Sequence, residues 1–141
     1  MKKNGLERDL REMDKYTTKT NKYGKFWFKN EEFHRDNDLP AIEYNNGTKL
    51  WYKNGVKHRD NDLPAVEYRD GDKFWYRHGK LHREDGPAIE YDYGEKKYYL
   101  EGEYYTEEDY YKYLKEIDDL PIELKLTHKD EWVRERAKKN G

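Results

Sequence analysis

Three His-Arg-acid triplets are the groups of this chain whose types and spacing could do chemistry: His34-Arg35-Asp36, His58-Arg59-Asp60 and His82-Arg83-Glu84. An Asp after His-Arg accepts a hydroxyl proton in the catalytic loop of kinases, where an Asn follows five residues later. Ala41 stands at that place after Asp36, and the chain has no glycine-rich phosphate loop. The threefold recurrence therefore favours a structural repeat over a phosphoryl-transfer site.

Metal binding by these histidines is the next alternative. His34, His58 and His82 are 24 residues apart, and a sheet that gains two strands per repeat would separate neighbouring positions by about 9–10 Å. A zinc ion needs its ligand atoms about 2 Å away, so one ion cannot join the three. A His-Asp-Asp set within one repeat stays open, but we predict no metal site, cofactor or catalytic residue. Each imidazole is expected to pack at a hairpin edge and to hydrogen-bond a loop carbonyl or an Asp.

A charged ladder is the third candidate set. Glutamates and arginines recur once per repeat, and a carboxyl pair in acid–base catalysis would need one member with a raised pKa in a pocket. A repetitive sheet predicts no such pocket. Cross-strand charge pairs, worth roughly a few tenths of a kcal/mol each, are expected instead, and their rows could contact a partner. The candidate charged ladder consists of Arg35, Arg59, Arg83, Glu43, Glu67 and Glu90.

The histidines and charged residues belong to a sequence repeat, and the fold of that repeat must position them. Residues 25–47, 49–71 and 73–94 align as KFWFKNEEFHRDNDLPAIEYNNG, KLWYKNGVKHRDNDLPAVEYRDG and KFWYRHGKLHREDGPAIEYDYG. A fourth, decayed copy, KKYYLEGEYY, places Tyr98 where the others have Trp27, Trp51 and Trp75. The opening KNGLERD is interpreted as a fragment of a further copy. Because a unit this small cannot bury its own face, stacking of the copies must build the core.

Each copy predicts short strands separated by turns. Strand-forming runs such as Leu50-Trp51-Tyr52 alternate with turn signals. Asn54-Gly55, His78-Gly79 and Glu101-Gly102 supply the positive φ of two-residue hairpin turns, whereas Asn30-Glu31-Glu32 predicts a looser or longer first hairpin. The predicted fold class is mainly β: an antiparallel β-hairpin meander with a helical cap at its C-terminal end.

The repeat resembles a known module. The pattern WYxNGxLHRxDGPAxEYxxG is similar to the bacterial and viral variant of the MORN repeat across residues 23–105. The resemblance implies β-hairpins that stack into an elongated, twisted sheet, and a binding scaffold or membrane-associated linker rather than an enzyme. It also implies a phage or giant-virus setting, where such variants are common. The first copy departs from the pattern by lacking the Asn-Gly turn, and Leu-Pro replaces Gly-Pro twice.

The C-terminal third changes to a helical period. The run TEED is a capping-box-like start, and Tyr110, Leu114 and Ile117 fall on one face of the helix that follows. Pro121 is well suited to open the next helix, and Asp130 is a predicted cap for EWVRERAKK. LTHKDEWVRERAKKN is similar to a half-unit of HEAT or variant leucine-rich helical repeats. These helices are expected to cap the open end of the sheet, as repeat arrays require.

The charge is uneven along three predicted regions. These are a basic N-terminal arm or partial repeat (1–22), the MORN-like array (23–105) and the helical cap (106–141). Residues 1–30 carry nine basic and four acidic side chains, and residues 31–95 carry ten and fifteen. The basic segment could bind anions, and the acidic sheet could mimic a nucleic-acid backbone, but ordinary surface solvation also explains the charges.

Composition limits the protein class. The 141 residues contain no Cys and have a net charge of −2, and only 22 are Leu, Ile, Val or Phe. The 23 aromatic residues can supply the missing core, since each Tyr or Trp buries roughly 150–250 Å². No apolar run approaches the ~20 residues of a membrane span, and MKKNGLERDLREM lacks the apolar core of a secretory signal. A folded, cytoplasmic, single-domain protein is predicted, in the host cytoplasm if it is viral.

The aromatic strands are the strongest candidate for binding. In Leu50-Trp51-Tyr52 the middle side chain faces one side of the sheet and its neighbours the other, so both faces are apolar. Either the helices cover one face and all rings are core, or one ladder stays exposed as a partner surface. The candidate aromatic ladder consists of Trp27, Trp51, Trp75, Tyr98, Tyr52 and Tyr76.

Two functions from different classes follow. The first is a non-enzymatic scaffold that binds another macromolecule, most directly a protein, such as a phage- or mobile-element-encoded inhibitor of a bacterial defence nuclease complex. The second is a peripheral binder of anionic lipid or nucleic acid through the basic N-terminal segment, which would be salt-dependent. A homodimer through open sheet edges is a further expectation.

Overall fold

The computed structural model of the protein describes residues 13–140 and confirms the mainly β architecture with a C-terminal helical part. The predicted fragment KNGLERD and the first half of the predicted arm lie outside these residues. The helices are α1 Glu107–Asp118, α2 Ile122–Leu126 and α3 Glu131–Asn140. The strands are β1 Tyr16–Asn21, β2 Gly24–Lys29, β3 Glu32–Phe33, β4 Ile42–Tyr44, β5 Lys49–Leu50, β6 Tyr52–Lys53, β7 Val56–Lys57, β8 Val66–Glu67, β9 Lys73–Phe74, β10 Tyr76–Arg77, β11 Lys80–Leu81, β12 Ile89–Glu90, β13 Lys96–Leu100 and β14 Glu103–Tyr105.

One long antiparallel sheet runs through the repeats. Its strand order is β1-β2-β4-β5-β8-β9-β12-β13-β14, with β3 added to β2. The pairs β6–β7 and β10–β11 form separate two-stranded hairpins beside it. Each central repeat therefore adds two strands and one hairpin, which confirms the predicted meander. The sheet begins with β1, which lies before residue 23, the predicted start of the array.

The repeats stack in phase. Each Trp donates its backbone N–H to the carbonyl of the alanine just before the strand alongside, at 2.8 Å for Trp27–Ala41 and 2.7 Å for Trp51–Ala65 and Trp75–Ala88. Those three alanines have no exposed surface. A larger side chain would therefore have no room where the neighbouring backbones meet, which explains the recurrence of Pro-Ala in the sequence.

The hairpin turns have the predicted two-residue geometry. Asn54 and Gly55 have φ angles of +48° and +84°, and positive φ at both central residues defines the turn that matches strand twist. The first hairpin is not looser or longer. Lys29 pairs directly with Glu32, and Asn30 and Glu31 adopt φ angles of +50° and +67°. That expectation was wrong because the Lys29–Glu32 pair closes the turn over two residues, and Asn30 is held by hydrogen bonds to Asp14 and Lys15.

Buried histidines join each repeat to the next. The Nδ1 atoms of His34 and His58 each accept a backbone N–H at 2.9 Å, from Asn54 and His78 in the following turn. His82 accepts from Glu101 at 3.0 Å in the same way. On its other side, each imidazole Nε2 donates to the acid two residues later; the acceptors are Asp36, Asp60 and Glu84, at 2.8, 2.7 and 3.0 Å. The predicted bond to an Asp is present, and a backbone N–H takes the place of the predicted carbonyl.

The helices close the C-terminal end of the sheet around a separate core. The predicted stripe of Tyr110, Leu114 and Ile117 is buried, and the Thr106 hydroxyl accepts the N–H of Asp109 at 3.1 Å as the N-cap. Tyr98, Leu100, Trp132 and Val133 complete the core. Among the described residues, no helix has the length and apolar character that crossing a membrane requires.

The strained turn at Glu31 yields a stability prediction. We expect Glu31→Gly to raise the free energy of unfolding by about 1 kcal/mol, because a left-handed conformation costs a non-glycine residue roughly that amount. Urea unfolding of both proteins measures the change. Gly55→Glu, at the equivalent turn, is the matched reverse substitution and should destabilise. A lower unfolding free energy for Glu31→Gly would show that the turn is not strained.

The buried imidazoles yield a prediction on pH. Burial lowers the pKa of His58, with smaller opposing effects from Asp60. The unfolded chain therefore binds the proton more readily than the folded one, and stability present above about pH 6.5 is lost as the pH falls towards the folded-state pKa. Unfolding free energy should drop between pH 7.5 and 5.5, and the drop should be smaller in His58→Gln. An equal drop in both proteins would contradict the assignment.

Candidate interaction surface

The structure divides the predicted aromatic ladder between two faces of the sheet. Trp51, Trp75 and Tyr98 lie on one, which we call the Trp face, and are only 6%, 6% and 7% exposed. Trp27 lies on the same face and is half-buried. Tyr52 and Tyr76 directly follow Trp51 and Trp75 in the chain and therefore point to the opposite side, where Tyr52 lies 5.2 Å from Phe33. The six predicted residues therefore form two rows rather than one surface.

Loops cover the Trp face. The indole Nε1 of Trp51 donates to the carbonyl of Asp38 at 3.0 Å, and that of Trp75 donates to Asp62 at the same distance. These bonds fold the polar loop of each repeat over the next tryptophan. The rings at 51 and 75 are therefore enclosed within the protein, and little of their surface is left for a partner.

The predicted charged ladder also lies on the Trp face. The guanidiniums of Arg35, Arg59 and Arg83 sit 3.7, 3.8 and 3.9 Å from the ring centroids of Trp27, Trp51 and Trp75. They reach Glu43, Glu67 and Glu90 of their own repeats at 3.3, 3.5 and 3.1 Å. Arg59 and Arg83 also bind the carboxylates of Asp38 and Asp62 in the preceding repeat, each at 2.9 Å. The structure thus brings this ladder together as a set of internal ion pairs.

Lysines complete the neutralisation of this face. Successive strands pair Lys25 with Glu43, Glu43 with Lys49, Lys49 with Glu67, Glu67 with Lys73, Lys73 with Glu90, and Glu90 with Lys96. Opposite charges therefore alternate along the whole row. Such cross-strand pairs favour one register, so the row helps to hold the repeats in phase.

The opposite face presents a continuous set of half-buried apolar side chains, which we call the aromatic face. Ile42, Val66 and Ile89 form its floor and are 4%, 1% and 4% exposed. Neighbouring rings touch across strands: Phe28 and Phe33 stack with centroids 4.9 Å apart, and Phe33 lies 5.2 Å from Tyr52. The half-buried members are Phe26, Phe28, Phe33, Leu50, Tyr52, Phe74, Tyr76, Leu81 and Tyr99.

More exposed tyrosines border the aromatic face. Tyr44 makes an edge contact with Phe26 at 5.9 Å, and Tyr68 with Phe74 at 5.4 Å; the two tyrosines are 37% and 44% exposed. Burial raises the pKa of Tyr52, and the nearby Tyr44 and Tyr68 raise it further. The hydroxyl of Tyr52 therefore stays protonated at neutral pH and can donate a hydrogen bond to a bound partner.

The helices leave the aromatic face uncovered. Trp132 of α3 packs against His82, with centroids 5.5 Å apart, on the Trp face. Glu135 pairs with Arg77 at 3.1 Å, also on that face. The described part of the chain thus places its cap beside the last repeat and over one face only. Of the two alternatives from the sequence, the Trp face fits rings in the core, whereas the aromatic face keeps half-buried rings that are bordered by more exposed tyrosines.

Lysines are the charged residues of the aromatic face. Lys19 lies over Phe28, Lys57 over Tyr76 and Lys97 over Tyr91, at 5.3, 5.0 and 5.7 Å from the ring centroids. At the strand positions of this face within residues 13–140, there is no Asp or Glu. The face is therefore apolar and positively charged, unlike the neutralised Trp face.

Metal-binding clusters and cavities are the remaining features of the described residues that could form a site. Residues 13–140 contain no cluster of three His, Asp or Glu that could hold a metal ion, so the His-Asp-Asp alternative finds no site there. A groove of about 550 Å³ lies between the third repeat and α3. Its wall carries paired charges, with Arg77 bound to Glu84 at 3.3 Å and to Glu135 at 3.1 Å.

No family model matches the chain, and neither the curated proteins nor the solved structures contain a significant match to it.

The sequence of the aromatic strands contains a signal for the surface described above. Phe26 and Phe28, like Leu50 and Tyr52, alternate with the tryptophans. Phe33, Phe74 and Tyr99 belong to the surface but were not among the predicted candidates, because one strand alone does not reveal which face a loop will cover.

The two rows of rings should respond differently to truncation. Trp75→Ala should lower the free energy of unfolding by about 3–5 kcal/mol, because it opens a cavity in the core. Tyr76→Ser, on the half-exposed face, should cost clearly less. Urea unfolding with both variants and the wild-type protein measures this. Equal losses would mean that the aromatic face is as enclosed as the Trp face.

Proposed function

We propose that the protein is a non-enzymatic scaffold that binds another protein on its aromatic face. The observation that carries this proposal is the row of apolar side chains that pair across the strands from Phe26 to Ile89. Rings and lysines lie beside this row, and no element among the described residues covers it. Contiguous exposed apolar surface on a folded protein is typical of an interaction site. Tyrosines and other aromatic residues are enriched among the side chains that contribute most to such interfaces.

The rigidity of the array supports this function. The rings are held by cross-strand contacts and by ion pairs on the Trp face, so their positions are set before a partner arrives. A preorganised surface loses less conformational freedom on binding. The resemblance of the repeat to MORN-like scaffolds is consistent with such a role and is itself part of the proposal.

A more specific version concerns the partner. The phage and viral setting of that repeat type leads us to propose an inhibitor that occupies a surface of a bacterial defence protein, such as a nuclease complex. The support is the resemblance together with a surface suited to protein contact. The alternative, an anionic lipid or nucleic acid bound through the basic N-terminal segment, is favoured by exposed lysines at 15, 19, 22 and 25. It predicts binding that weakens steeply with salt.

Affinity capture with matched variants tests the proposal. We expect Tyr52→Ser/Tyr76→Ser to bind the captured partner at least about tenfold more weakly, since anchor residues dominate interface energy. Tyr23→Ser/Tyr93→Ser is the control, because these tyrosines lie in turns and are 61% and 69% exposed. The dissociation constant of the purified partner is measured with each protein, and circular dichroism checks that each variant is folded. Equal affinity for all three would refute binding through the aromatic face.

A further inference from the structure

The chemistry of the aromatic face selects a class of partner. Resting on the proposed function, we propose that this face binds an acidic amphipathic α-helix of the partner protein. The helix would place an apolar stripe on the rings and carboxylates beside Lys19, Lys57 and Lys97.

The backbone of the sheet restricts the form of the partner segment. The inner strands hydrogen-bond to neighbours on both sides, so the face offers side chains rather than free backbone donors and acceptors. A segment that covers it must therefore satisfy its own backbone, which a helix does within itself. A helix packed on an apolar sheet face is also a common two-layer arrangement in protein domains.

The lysines determine the charge of that helix. The three ammonium groups lie over rings of the aromatic face, 5.0–5.7 Å from their centroids. Among the ion pairs that the described residues form, none includes Lys19, Lys57 or Lys97. The sheet glutamates Glu43, Glu67 and Glu90 pair with other lysines, on the Trp face. The lysines of the aromatic face are therefore free to pair with carboxylates of a partner, and carboxylates that flank an apolar stripe would match the arrangement of lysines beside rings.

Two other occupants fit this surface less well. A second copy packed face to face would bring the same lysines against one another, and like charges at close range oppose association. A single-stranded nucleic acid would bring one phosphate per nucleotide, whereas among the described residues the face offers only three lysines at its strand positions, separated by apolar side chains. Both occupants are outcomes of the test below.

Two designed peptides of about 20 residues provide the probes. One has leucines at helical spacing and glutamates at the remaining positions, and its twin has lysine in place of every glutamate. The full-length protein is labelled for NMR and titrated with each peptide and with a thymidine 20-mer. We expect the glutamate peptide to shift the resonances of Tyr52, Phe74 and Tyr76 and to bind at least about tenfold more tightly than its twin.

Charge reversal provides the second readout. Lys57→Glu/Lys97→Glu should weaken binding of the glutamate peptide about tenfold and strengthen that of the lysine peptide. Lys112→Glu/Lys129→Glu makes the same change in charge on the exposed surface of the helical cap and should leave both affinities within about twofold. Equal binding of the two peptides, no binding of either, tighter binding of the thymidine 20-mer, or self-association without peptide would each overturn the inference.

These outcomes remain distinct from those of the proposed function. If neither peptide binds while the captured partner still requires Tyr52 and Tyr76, the aromatic face binds a partner and the acidic helix is wrong. If the captured partner binds the Tyr52→Ser/Tyr76→Ser variant as tightly as the wild-type protein, the proposed function itself fails.

Discussion

The bond between a buried imidazole and the turn of the next repeat is the interaction on which the array depends. Most strands within the repeats are only two or three residues long, and a hairpin of that size is at best marginally stable alone. His34, His58 and His82 are 5%, 7% and 5% exposed, and both ring nitrogens of each are hydrogen-bonded. Leaving one buried partner unpaired costs about 1–3 kcal/mol. The His-x-acid spacing thus couples every turn to its neighbour, and this coupling gives the sheet a single register.

The contacts between consecutive repeats also explain where the array ends. Asp38 and Asp62 each supply a carboxylate to the arginine of the following repeat, but the fourth copy has no equivalent arginine. The third repeat accordingly has a shorter loop, with Gly86 near the place of these aspartates. The hydroxyl of Tyr110 donates to the carbonyl of Arg83 at 2.5 Å and accepts the Gly86 N–H at 3.2 Å. The helical cap therefore contacts the last loop of the array, whereas the earlier loops contact the tryptophan of the next repeat.

Much of this architecture could be predicted from the sequence, because its signals are local or periodic. The repeat phase, the two-residue turns and the stripe of Tyr110, Leu114 and Ile117 all follow from spacing and turn chemistry. The conformation of Glu31 could not be predicted in this way, since the bonds that hold its turn join Asn30 to residues about 15 positions earlier in the chain. Nor could the covered face be identified, because the bond from Trp51 to the Asp38 carbonyl joins residues in different repeats.

The division of the side chains between the faces connects this fold to binding. On the Trp face, carboxylates of the protein pair with Arg35, Arg59 and Arg83. Because these charges neutralise one another, this face exerts little electrostatic attraction on a partner. The contacts of the Trp face thus make the sheet rigid, while the aromatic face presents rings and lysines that form no ion pair with the described residues. Because the two sets alternate along the same strands, the register that closes the ion pairs also aligns Tyr52 and Tyr76. A substitution that disturbs the phase of the repeats would therefore disrupt the binding surface even where it contacts no partner.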